Sequence, residues 1–77
     1  MSPADLEEGP SGIHCRLDEL LAERGMTLTE LSARVGVSIV NLSVLKNDRA
    51  RAIRFSTLTA ICDALCCTVG DLLVVER

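Results

Sequence analysis

Aromatic residues are almost missing from this 77-residue chain: it has no Trp, no Tyr and a single Phe, Phe55. A core must therefore be aliphatic, built from Leu, Val, Ile and Ala, and Leu-rich segments with few β-branched runs favour helices. No apolar run approaches the roughly 20 residues that span a bilayer. The acidic N-terminus has no apolar stretch of the signal-peptide kind. A cytosolic chain without a membrane partner is expected. Glycine-rich phosphate loops, nucleophile motifs and converging carboxylates or histidines are missing as well, so no enzymatic activity and no cofactor are expected. Chains of this size bury only about 60% of their unfolded surface, which makes them marginal alone and favours dimerisation.

Positive charge is also scarce, but it is concentrated. The net charge is −3. Residues 1–25 carry Asp5, Glu7, Glu8, Asp18, Glu19 and Glu23 against Arg16 and Arg24, a balance of −4. Residues 46–54 carry Lys46, Arg49, Arg51 and Arg54 against Asp48, a balance of +3. A basic cluster of this kind suits phosphate contact. The competing explanation is a solvated basic loop.

The stretch from Thr27 to Lys46 organises the rest. Thr27 and Glu30 form a capping box, S/T-x-x-E, at the start of a helix. Leu28, Leu31 and Val35 give that helix an apolar stripe. Gly36 ends it, because glycine adopts the left-handed conformation at little steric cost. Val37 is apolar within the turn, Ser38 suits the N-cap of a second helix, and Leu42 and Leu45 give the second helix a buried edge. Two short helices around a tight glycine turn make a helix-turn-helix, whose second helix can enter a major groove.

Residues 1–12 hold both prolines, two of the five glycines and three acids. They are expected to form a disordered tail, with a single domain over residues 13–77. Leu17, Leu20 and Leu21 mark the first amphipathic helix, stopped at Gly25. Residues 13–15 and the final run Leu72, Leu73, Val74 and Val75 could pair as a small ribbon joining the chain ends. After the motif, residues 47–55 form a linker that Ile53 and Phe55 should anchor to the core. Ser56 should cap a fourth helix with Leu58, Ile61, Cys62 and Leu65 inside. Thr68 and Asp71 begin a short fifth helix running from Val69 to Leu73.

These residues carry a family resemblance. GMTLTELSARVGVS, the helix after it, the basic linker and STLTAICDALCCTVGDLL resemble the phage-repressor-like (Cro-type) helix-turn-helix domain over residues 16–75. The run NLSVLKNDRARAIRFSTLTAICDAL is similar to a compact bacterial subfamily of transcriptional regulators with a run like NLSxLKNGKAKAIRFSTL. The resemblance implies an all-α, five-helix Cro-type domain, to which the terminal β-ribbon would be an addition. It implies a bacterial regulator on double-stranded DNA, usually a homodimer, acting in the cytoplasm at the nucleoid. The recognition helix would run from Ile39 to Asn47. Ile39, Val40 and Val44 fall where base edges are met. Asn41, Ser43, Asn47 and the linker fall near phosphate, with Lys46, Arg49 and Arg51 foremost. The helix start near Thr27 to Thr29 would face another phosphate, and Ser38 opens the recognition helix. One departure stands out: the glycine usual after the recognition helix is Asp48, which tolerates a left-handed turn less well.

The base-facing positions Ile39, Val40, Ser43, Val44 and Asn47 include three aliphatic residues, which can touch only thymine methyl groups. Modest sequence specificity follows. An exposed Ile-Val-Val face also suits protein, so the alternative is a helix-turn-helix used to dock on another regulator. For Arg54, between Ile53 and Phe55, the alternative to phosphate contact is an ion pair with Asp63 or Asp71. The four cysteines of a cytosolic chain are expected to be reduced. Cys15, Cys62, Cys66 or Cys67 with His14 can be drawn as a metal or redox site, but the spacing matches no zinc pattern, and buried free thiols are the simpler expectation. No metal is therefore assigned.

Overall fold

The computed structural model describes residues 12–76 of the 77. The tail expected over residues 1–12 lies outside them except for Gly12. That residue's carbonyl accepts the Glu76 amide at 2.8 Å, directly beyond the last strand.

The order is strand β1 (Ile13–Cys15), helices α1 (Leu17–Arg24), α2 (Leu28–Val35), α3 (Ile39–Lys46), α4 (Phe55–Leu65) and α5 (Val69–Leu72), then strand β2 (Leu73–Val75). This is the all-α five-helix arrangement, with the terminal ribbon present. β1 and β2 run antiparallel, pairing Ile13 with Val75, His14 with Val74 and Cys15 with Leu73. The Arg16 amide donates to the Leu72 carbonyl at 2.7 Å and extends the junction into the helices. The expected fifth helix loses its last residue, because Leu73 is extended and opens β2.

Local chemistry explains the helix boundaries. Thr27 and Glu30 form the capping box of α2, and Gly36 closes it at φ 71°. Ser38 accepts the Asn41 amide and starts α3. The chain turns through 118° between α2 and α3, within the range of a helix-turn-helix corner. Ser32 Oγ donates to the Val37 carbonyl at 2.6 Å and braces that corner from inside. α1 has acids in its first turn and Arg24 in its last, which complements the helix dipole in the absence of a side-chain cap.

α4 is the hub of the core. Leu58, Ile61, Cys62 and Leu65 are buried along it, facing Leu17, Leu20 and Leu21 of α1 and Leu31 of α2. Leu42 and Leu45 of α3, Leu72 and Cys15 complete an aliphatic and sulfur interior. Burying each Leu or Ile contributes about 1.5–3 kcal/mol.

Two expectations for the linker are corrected. Phe55 does not anchor it: the side chain is 87% exposed. Ile53 and Ala50 pack against the core instead. The helix begins two residues early, so Phe55 sits in its first turn and Arg54, not Ser56, takes the N-cap, without a side-chain cap bond. Its place in the first turn, at the very end of α4, leaves the side chain in solvent. No single helix among the described residues is long and apolar enough to cross a membrane.

Candidate nucleic-acid interface

The corner and the linker enclose one groove of about 750 Å³. Its walls include Ser38, Asn41 and Val44 from the α3 side and Arg49, Arg51 and Arg54 from the linker, and no acid lines it. α3 and the arginines therefore share a face. Arg49, Arg51 and Arg54 make no ion pair or side-chain hydrogen bond among the described residues, so their guanidinium groups are available to an anion. The Arg49 amide, donating to the Val44 carbonyl at 2.9 Å, fixes where the linker leaves α3.

The groove brings Ser38, Asn41 and Val44 together with Arg49 and Arg51. Ile39 and Val40 stand beside it at the start of α3, 44% and 70% exposed. The Asn41 side chain is exposed and unengaged. Ser43 is half-buried, and its carbonyl accepts Asn47 Nδ2 at 2.9 Å. That bond makes Asn47 the C-cap of α3, which ends at Lys46, one residue earlier than expected.

Other positions are engaged within the fold. Lys46 Nζ lies 3.3 Å from Asp18 on α1, so its charge is partly answered internally. Thr27 Oγ1 accepts the Glu30 amide at 3.1 Å, and Glu30 Oε1 accepts the Thr27 amide at 3.2 Å. A carboxylate thus already stands at the start of α2. Thr29 is exposed there with a free hydroxyl, and the first-turn amides have no acceptor inside the helix.

Arg54 forms no pair with Asp63 or Asp71 among the described residues. Asp71 instead closes the α5 capping box, and the Thr68 amide and hydroxyl hold its carboxyl below the usual range. Arg34, in the last turn of α2, is a further exposed cation, unpaired among the described residues. Its position on a polar helix face gave no signal beyond its charge. The four thiols are free, and among the described residues no three His, Cys, Asp or Glu side chains converge as a metal site would need.

A 118° corner, a proud second helix and a basic groove together define a helix-turn-helix domain of the nucleic-acid-binding kind. The profile of the Cro/C1-type HTH DNA-binding domain matches residues 16–77, and the chain belongs to that family. It is 60% identical over 57 residues to the uncharacterised HTH-type transcriptional regulator YozG of Bacillus subtilis (strain 168), covering 74% of this chain and 68% of that protein. It also resembles the crystal structure of the transcriptional regulator VanUg, with a TM-score of 0.69 and 29% identity over 92% of this chain and 99% of that one.

Proposed function

We propose that this chain is a transcriptional regulator that lays α3 in the major groove of double-stranded DNA while Arg49, Arg51 and Arg54 hold phosphates. The supporting observation is the acid-free groove in which Ser38, Asn41 and Val44 meet the three unpaired arginines. Arginine's planar fork suits phosphate oxygens, and releasing counterions supplies sequence-independent affinity. Arg49 and Arg51 flank the exit of α3, so phosphate contact there fixes its depth in the groove. Thr29 and the free amides of α2 offer a second phosphate seat, weakened by Glu30 nearby. Lys46 joins only by leaving Asp18.

Base reading falls to few atoms. Ile39 and Val40 meet thymine methyl groups, and Asn41 can bond adenine through N6 and N7. Ser43 and Val44 contribute at the inner edge. One eight-residue helix contacts too few bases for tight discrimination, which favours a homodimer on two half-sites about 34–36 Å apart. Such binding would place the protein at the nucleoid.

Exposed Ile39 and Val40 also support a second reading, in which α3 docks on another regulator. Selection from a random duplex pool at near-physiological salt separates the two. DNA binding predicts an enriched palindrome carrying A·T pairs under α3. Docking predicts no enrichment, together with loss of a protein partner on Val40→Glu.

A further inference from the structure

Two thiols meet where α4 ends. Cys66 takes a left-handed φ of 52°, a conformation usually left to glycine, and the chain doubles back on itself. The Cys67 amide donates to the Cys62 carbonyl at 3.0 Å, and the Cys66 amide donates to the Asp63 carbonyl at 3.3 Å. This paired closure sets the residue two beyond the helix against the residue that begins its last turn, a contact ordinarily made by two apolar side chains. Here both are cysteines. Cys62 is buried, Cys67 is half-buried, and Cys66 is turned to solvent. Arg24 ties the same closure to α1, its Nε donating to the Leu65 carbonyl at 2.6 Å and Nη2 to the Cys66 carbonyl at 3.3 Å.

The geometry points to Cys62 and Cys67 as a modification site: a thiol pair that closes to a reversible intrachain disulfide on meeting a small-molecule disulfide of the glutathione kind. The backbone bond already holds the two residues at neighbouring positions, which is what a disulfide between them needs. The Cys67 thiolate attacks one sulfur of the small disulfide, forms a mixed disulfide and releases one small thiolate. Cys62 then attacks the Cys67 sulfur, forms the Cys62–Cys67 bond and releases the second. Two electrons pass from the protein to the small disulfide, and the two protein thiol protons end on the two small thiols.

The groups facing Cys67 set the rate. Burial, Cys62 and Asp71 push its thiol up to about 11, against a weaker opposing pull from Arg24. Thiolate is then scarce at neutral pH, so exchange is slow there and quickens as pH rises. The site answers sustained oxidation and ignores brief exposure. It lies at the far end of α4 from the basic linker, about 16 Å along an 11-residue helix, and its chemistry is independent of DNA binding.

The test uses the full chain in mixtures of oxidised and reduced glutathione at mildly alkaline pH. Samples are quenched in acid, unfolded, alkylated and mapped by peptide mass spectrometry. The expected product is a monomer lighter by two hydrogens, with Cys15 and Cys66 alkylated and Cys62 joined to Cys67. Cys66→Ser should give the same product, and the formation rate should climb with pH. Oxidation that stops at glutathione on Cys66, or links two chains through it, with Cys62 and Cys67 both alkylated, would overturn the proposal. So would a rate that does not change with pH.

Discussion

His14 Nδ1 lies 2.8 Å from Oδ2 of Asp48, and Oδ1 of the same carboxylate accepts the Cys15 amide at 2.7 Å. One residue after α3 therefore holds both the side chain and the backbone of β1. This explains an aspartate where the resembled run has glycine. Asp48 sits at φ 61°, a conformation costing a non-glycine residue about 1–2 kcal/mol, and the two bonds to β1 offset that strain. The end of α3 is thereby fastened to the ribbon that joins the chain ends.

The pair should make stability depend on pH. Asp48, with smaller contributions from Glu76 and Glu19, raises His14 above its ordinary value near 6.5. Stability from His14 is fully present below that ordinary value and is lost as pH rises through the higher folded one. The Cys15 amide and His14 hold the Asp48 carboxyl below its ordinary 3.8. Its contribution is present above 3.8 and is lost as pH falls through the lower folded value. Melting temperatures of the wild type and His14→Gln should differ most between about pH 4 and 6.5 and converge in the alkaline range. A constant gap across pH would mean that the ion pair does not form.

Substitutions at Asp48 should follow a definite order. Asparagine tolerates the left-handed turn and keeps an acceptor for the Cys15 amide. Glycine relieves the strain but loses both bonds, and alanine loses both while keeping the strain. Thermal stability is expected to fall from wild type through Asp48→Asn and Asp48→Gly to Asp48→Ala. If Asp48→Gly matches or exceeds the wild type, the tether contributes less than the strain it offsets.

Leu42 is the buried pivot of α3, 1% exposed. Leu42→Ala should cost about 2–5 kcal/mol in urea unfolding. Much of the stability of a domain this small would be gone. A near-neutral result would place α3 in a different register.

Phe55 should be nearly silent in the isolated domain. Its exposure predicts that Phe55→Ser changes unfolding free energy by no more than about 0.5 kcal/mol. A large loss would show that Phe55 is covered in solution. Comparing the loss at two protein concentrations would then reveal whether a second copy covers it.

The sequence was most informative where local chemistry decides structure. The Thr27–Glu30 and Thr68–Asp71 capping boxes, Gly25 and Gly36 all act through nearest neighbours, and all appear where the pattern puts them. The ribbon is barely legible in sequence, because three-residue strands carry almost no periodicity and its two strands are far apart in the sequence. Phe55 misleads because hydrophobicity does not ensure burial: it opens the first turn of α4, at the end of the helix, and stays exposed. Asp48 was recognised as a departure, but its reason is a contact 34 residues away in sequence, beyond any local pattern. The groove arginines were visible as a charge cluster, and only the fold shows which of them are left unpaired.

The most direct test of the central claim is the salt dependence of DNA affinity for the wild type and for Arg49→Ala with Arg51→Ala. Each phosphate contact contributes a slope of about −0.9 in log affinity against log salt. If both arginines hold phosphate, the double variant should bind more weakly on every sequence, with a slope shallower by about two. An unchanged affinity and slope would contradict the interface proposed for the groove.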